Sequence, residues 1–224
     1  MNTFAALEHI ESLFSNGGPL RIVSIEGNIG VGKSTLLAEW KHRYETDPRI
    51  VFMPEPVDQW SKICNEEGNT ILSCFYANPD KYAFPFQVLA YTSRLAAFQK
   101  VVETHPACEI IVCERSLEAD RYIFAEMMRD QRTMEPMIYE VYRTLYDATA
   151  KPFEVDTIVY LEACPATCLR RIQKRGREGE GGIQLDYLEK CHAYYERWIG
   201  KLDKVIRVGC EEEKEEVRHI SNRM

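Results

Sequence analysis

Apolar positions along the chain follow two alternating rhythms. Short aliphatic runs at Leu20–Ile25, Ile50–Met53, Glu109–Cys113, Val155–Leu161 and Val205–Val208 read as strands. Between them, apolar residues recur at helical spacing over Lys33 to about Glu45, Lys81–Thr104, Leu117–Arg129, Met134–Ala150, Cys164–Lys174 and Leu185–Leu202. Phe4–Phe14 reads as a short amphipathic helix, ended by Ser15–Pro19. Pro85 falls in the first turns of the long helix and is expected to start or kink it. Strands separated by helices predict an α/β fold of three layers, a five-stranded parallel sheet flanked by helices. With no internal repeat and no Pro- or Ser-rich linker, residues 1–224 are expected to form one domain.

The segment after the first strand changes a fold reading into a chemical one. Gly27-Asn28-Ile29-Gly30-Val31-Gly32-Lys33-Ser34 fits G-x-x-x-x-G-K-[ST], with a predicted strand before it and a helix after it. Such a loop turns consecutive N–H groups toward phosphate oxygens at a helix N-terminus. Lys33 can neutralise the β- and γ-phosphates, and the Ser34 hydroxyl can serve Mg²⁺. Thr35 stands where a dinucleotide-binding G-x-G-x-x-G needs its last glycine, and the N-K-x-D of GTPases is absent. The loop names ATP as donor and leaves the acceptor open.

Composition narrows the acceptor. The chain carries a net charge of −7, which disfavours a nucleic-acid partner and favours a small molecule. Eight cysteines show no C-x-x-C pair and no zinc-ligand spacing, as expected of reduced thiols in a reducing compartment. No apolar run reaches membrane-spanning length, and Met1–Ser15 lacks Lys and Arg, so a cytoplasmic protein is expected. The run Glu211–Glu216 reads as a solvated or frayed segment without assigned function.

Two acids follow predicted strands, at the edge where such sheets bind ligands. Glu55, in Pro54-Glu55-Pro56, is either the acceptor of a hydroxyl proton or a solvated loop acid. Glu114 and Arg115 either hold Mg²⁺ and offset charge on a transferring phosphoryl, or form an ion pair capping the next helix. The cluster Arg171, Arg175 and Arg177 beside Gly176, Gly179, Gly181 and Gly182 is by itself a charged loop.

Together, Gly27–Ser34, Glu55-Pro56 with Trp60, Pro85-Phe86-Gln87, Glu114-Arg115-Ser116, Asp120-Arg121-Tyr122 and Arg175-Gly176-Arg177 resemble the deoxyribonucleoside kinase family. The likeness is closest to its deoxycytidine/deoxyguanosine kinase branch and runs from about residue 20 to 200. It implies a P-loop kinase-type fold that phosphorylates the 5′-hydroxyl of deoxyribonucleosides in nucleotide salvage, with Mg²⁺ and as a homodimer. Glu55 would be the general base, and Arg115 would contact the 5′-oxygen and phosphoryl. Tyr76 and Glu180 would hold the 3′-hydroxyl. Phe86, Trp60 and Phe124 would clamp the base and Gln87 would orient it, although the aromatics alone would read as core. Arg94 and Asp120 would stand near the exocyclic group, beside the small Ala90, and crowd a thymine methyl. The resemblance makes residues 175–182 a mobile lid whose arginines close over ATP. After Gly209 the chain departs from the family's pattern. The competing readings are a monophosphate kinase of thymidylate kinase type and a non-catalytic nucleotide-binding protein.

Overall fold

A computed structural model describes residues 20–211. The predicted helix Phe4–Phe14 and all but the first residue of the acidic run Glu211–Glu216 lie outside the described residues. The five strands are β1 (Arg21–Gly27), β2 (Ile50–Met53), β3 (Ile110–Glu114), β4 (Thr157–Glu162) and β5 (Val205–Gly209). They form one sheet in the order β2-β3-β1-β4-β5, every pair parallel. This is the expected α/β architecture, and each predicted strand is present to within a few residues.

The helices are α1 (Lys33–Arg43), α2 (Val57–Trp60), α3 (Ile71–Ala77), α4 (Pro79–Thr104), α5 (Leu117–Ala119), α6 (Glu126–Asp130), α7 (Pro136–Thr149), α8 (Pro165–Arg175) and α9 (Leu185–Ile199). Sequence periodicity missed α2 and α3, which are too short to display a period. Thr70 caps α3, its hydroxyl accepting from the Ser73 N–H at 3.2 Å. The expected continuous helix Leu117–Arg129 is interrupted by a π-helical stretch, Asp120–Ala125, between α5 and α6. Helix α4, capped by Asn78, begins at Pro79, six residues before Pro85, so Pro85 lies inside it rather than starting it. The missing N–H of Pro85 leaves the Lys81 carbonyl without its i+4 donor, directly before Phe86 and Gln87.

The central strands are buried on both faces, as parallel strands must be. Val23, Ile25, Ile110 and Val112 pack with Leu36, Leu37 and Trp40 on the α1 side. Ile22, Ile111 and Cys113 pack with Phe98, Leu95 and Tyr91 on the α4 side. A third cluster joins Ile158 and Tyr160 of β4 to Tyr195 and Trp198 of α9. The carboxyl ends of β1, β2 and β3 therefore open on one edge of a rigid core.

Gly27 closes β1 with φ 136°, in the region that favours glycine. A Cβ there would lie 2.5 Å from the Leu161 carbonyl oxygen of β4. Gly27→Ala therefore forces apart two paired strands as well as straining the backbone. The expected outcome is a melting temperature lower by about 5–10 °C, corresponding to roughly 2–3 kcal/mol. Thermal unfolding that matches wild type would contradict this.

Candidate active site

The three strand ends and the segment after α8 surround one cavity of about 1770 Å³. Its floor is the glycine loop. Asn28 fixes that loop from two sides: its Oδ1 accepts from the Ile29 N–H at 2.9 Å and its Nδ2 donates to the Leu188 carbonyl of α9 at 2.8 Å. Lys33 is buried and folds back on the loop, its Nζ donating to the carbonyls of Asn28 and Gly27 at 2.9 and 3.2 Å. Burial and then the neighbouring Arg115 push the Lys33 ammonium down to about 8, against the pull of Glu114, Glu55 and Glu26. Ser34 donates from Oγ to Glu114 Oε1 at 2.8 Å. Thr35 lies in the first turn of α1, its N–H donating to the Gly32 carbonyl at 3.1 Å.

Glu55 follows β2 and meets two arginines. Its Oε1 accepts from Arg115 Nε at 3.1 Å and from Arg94 Nη2 at 3.4 Å. Burial alone would raise its pKa, but Arg115, Arg94 and Lys33 together hold the carboxyl below its ordinary value. It is ionised near neutral pH, and the alternative of a solvated loop acid does not hold: its side chain is only 17% exposed.

Arg94 runs through the core from α4. It donates from Nε to Asp120 Oδ2 at 3.0 Å and from Nη1 to the Glu114 carbonyl at 2.7 Å. Both charged side chains are almost fully buried. Asp120 and Phe124 belong to the π-helical stretch, a wider turn often found at functional sites. Gln87 donates from Nε2 to the Asp120 carbonyl at 2.9 Å and to the Tyr142 hydroxyl at 3.3 Å. Phe86 stacks on Phe75 with centroids 5.0 Å apart and meets Trp60 edge-on at 5.3 Å. Trp60 is fixed by its Nε1–H donating to Ser93 Oγ at 3.0 Å. Arg115 does not form the simple helix-capping ion pair considered from sequence; Ser116 caps α5 instead, accepting from the Ala119 N–H at 3.0 Å.

The glycine-rich segment leaves α8 at Gly176. Arg171 donates to the Val31 carbonyl at 3.3 Å and to the Cys210 carbonyl at 2.8 Å, tying α8 to the loop and to the chain beyond β5. Arg175 and Arg177 both pair with Glu180, which is buried. Tyr76 lines the same cavity, and burial, then Cys191 and Glu180, keep its phenol protonated. Every candidate residue from Gly27 to Glu180 thus borders the cavity or holds a residue that does.

Sequence reasoning passed over Leu72, Phe75, Met128 and Tyr187, which line the cavity, and Glu26 and Tyr195 beneath it. Leu72 and Phe75 were lost with the short helix α3. Glu26 had a usable signal: Ser24 and Glu26 are polar positions on one face of an otherwise apolar strand. Glu211, assigned no function above, borders the cavity and accepts from Thr167 Oγ1 at 3.2 Å.

Residues 23–223 match the sequence profile of deoxynucleoside kinase. The chain belongs to the deoxynucleoside kinase family. It is 35% identical to deoxycytidine kinase of Homo sapiens over 207 residues, covering 84% of this chain and 78% of that protein. It is 36% identical to deoxycytidine kinase 2 of Gallus gallus over 220 residues, covering 88% and 79%. Mitochondrial deoxyguanosine kinase of Xenopus laevis is 30% identical over 201 residues, covering 80% and 73%. Membership in the deoxynucleoside kinase family makes the chain a phosphotransferase with ATP as donor and a nucleoside as acceptor. It sets aside the thymidylate-kinase-type and non-catalytic readings. Among the described residues of this family member, no helix is long and apolar enough to cross a membrane.

The low Lys33 pKa has a measurable consequence. Bound phosphate favours the charged ammonium, so ATP binding above pH 8 must take up a proton. The Michaelis constant for ATP is expected to be flat below about pH 8 and to rise toward about tenfold per pH unit above it. Calorimetry in buffers of different ionisation enthalpy checks the proton uptake; a flat profile to pH 9.5 would remove the assignment.

Proposed function

We propose that Glu55 takes the 5′-hydroxyl proton of a deoxyribonucleoside as that oxygen attacks the γ-phosphorus of ATP in line. The observation carrying this is the ionised Glu55 carboxylate, held between Arg94 and Arg115 beside the phosphate loop. A carboxylate of lowered pKa is a weak base toward a free alcohol. It accepts the proton as the O–P bond forms and the hydroxyl becomes acidic. Arg115 and Lys33 offset charge on the transferring group, joined by Arg171, Arg175 and Arg177 when the segment 175–182 closes as a lid.

Ser34 and Glu114 are the residues that would hold Mg²⁺. A hydroxyl and a carboxylate 2.8 Å apart fit an ion that takes only one or two protein ligands beside phosphate and water oxygens. The ion would supply charge neutralisation between the β- and γ-phosphates.

Tyr76 and Glu180 serve the 3′-hydroxyl, Phe86, Trp60 and Phe124 enclose the base, and Gln87 orients it. The buried Arg94–Asp120 pair occupies the space that a thymine methyl needs. Deoxycytidine and the purine deoxynucleosides are therefore the preferred acceptors, in keeping with the names of the relatives. The physiological role is nucleotide salvage by a single kinase domain. All eight cysteines are free thiols, which supports a reducing compartment such as the cytoplasm.

Incubation with Mg-ATP and each of the four deoxynucleosides tests both parts. Thymidine is expected to turn over at least tenfold more slowly than the best of the others, and comparable turnover would refute the pocket argument. Glu55→Gln is expected to lower kcat by about 10²–10⁴ while ATP binding persists; unchanged turnover would remove the base assignment.

A homodimer is proposed as well. Met137 and Val141 stand one turn apart on α7 at 71% and 55% exposure, an apolar face that a second copy would cover. Light scattering is expected to give the dimer mass for the wild type and the monomer mass for Met137→Glu/Val141→Glu. Equal masses would contradict this interface.

A further inference from the structure

Beneath the cavity lies a buried carboxylate that the mechanism above does not use. Glu26 is fully buried at the end of β1, one residue before the glycine loop. Its Oε1 accepts three hydrogen bonds: from Ser24 Oγ at 2.6 Å, the Ser116 N–H at 2.8 Å and Ser116 Oγ at 2.7 Å. Its Oε2 accepts from the Tyr195 hydroxyl of α9 at 3.1 Å. That hydroxyl, also fully buried, accepts in turn from Arg115 Nη1. A continuous line of hydrogen bonds thus runs from Glu26 through Tyr195 to the guanidinium in the active site.

The geometry explains why Arg115 needs such a line. Its backbone has φ 65°, an uncommon conformation for a residue with a side chain. Glu26 secures that turn by binding the N–H and hydroxyl of the next residue, Ser116. The Arg115 N–H donates to the Ile25 carbonyl at 3.1 Å. The guanidinium is then held at both ends, by Glu55 on Nε and by the Gly27 carbonyl and Tyr195 on Nη1. Its Cζ lies 4.8 Å from the centre of the Phe124 ring. Among the described residues Nη2 is the arm with no hydrogen-bond partner, and Arg115 lines the cavity. Tyr195 is itself immobilised, stacked on Tyr160 of β4 with centroids 5.7 Å apart.

We propose that Tyr195, anchored by Glu26, is a positioning residue for phosphoryl transfer, fixing the Arg115 guanidinium so that Nη2 meets the transferring group. Of the two contacts on Glu55 and Tyr195, only the second is independent of the reaction. Glu55 gains a proton during the chemistry and loses its charge, while the Tyr195–Glu26 anchor keeps its hydrogen bonds and its charge throughout. The inference rests on the role assigned to Arg115 above.

The test is a double-mutant cycle in the full chain. Tyr195→Phe keeps the ring stack and removes the hydroxyl. It is expected to lower kcat by about 10–100-fold, the size expected of an ångström-scale misplacement. The Michaelis constants for ATP and deoxynucleoside are expected to stay within about threefold. In an Arg115→Lys background, where the two-ended grip is already lost, Tyr195→Phe is expected to change kcat less than about threefold. An unchanged kcat for Tyr195→Phe, or the same fold loss in both backgrounds, would overturn the positioning role. Full activity of Arg115→Lys would instead overturn the role of Arg115 itself, so the two failures are distinct. Should Tyr195→Phe not accumulate as folded protein, Glu26→Gln carries the same cycle, with non-additivity toward Arg115→Lys expected and additivity against it.

Discussion

A guanidinium taken out of water stays there only if anions and carbonyls surround it. Arg115 is 3% exposed, and most of the site can be read as the answer to that requirement. Glu55, the Gly27 carbonyl and Tyr195 are its direct partners. Glu26 balances it through Tyr195, while Arg94 shares Glu55 and is matched in turn by Asp120. Apart from the partly exposed Glu55 these groups are buried, and each charge would be costly alone. The glycine loop, Glu55 and the Arg94–Asp120 pair are thereby parts of one electrostatic unit, assembled around β1, β2, β3, α4 and α9.

That unit also explains how the protein keeps a charged acid beside the phosphate loop. An isolated carboxylate there would either protonate or be repelled by ATP. Arg94 and Arg115 hold Glu55 ionised and offset its charge at once. The segment after α8 follows the same logic in the opposite sense, with Arg175 and Arg177 paired to the buried Glu180.

Much of this was legible in the sequence where local backbone geometry dictates residue type. The spacing of Gly27, Gly30, Gly32 and Lys33 encodes a loop conformation directly. Glu55 and Glu114 were found because they end strands, and strand ends in a parallel sheet share an edge. What stayed hidden depends on contacts between distant segments. Tyr195 lies 80 residues from Arg115, and nothing in its helix marks it as different from core. Glu26 fell between the predicted strand Leu20–Ile25 and the loop beginning at Gly27, although β1 runs on through it and an acid in a two-sided buried strand is itself a signal. Helix α3 was too short to show a period, and the π-helical stretch preserves the apolar pattern of an ordinary helix while shifting where Asp120 and Phe124 point.

The parallel pairing of β1 with β3 sets Ile25 opposite Glu114. Glu26 and the glycine loop follow from one strand, Arg115 and Ser116 from the other, so their separations are laid down by that pairing. A displacement of two residues keeps every apolar side chain on its proper face yet carries Arg115 about 6–7 Å along the strand. The hydrophobic core would tolerate such a frame and the chemistry would not. The sheet acts as a calibrated scale, and the Glu26–Ser116 clasp locks its zero.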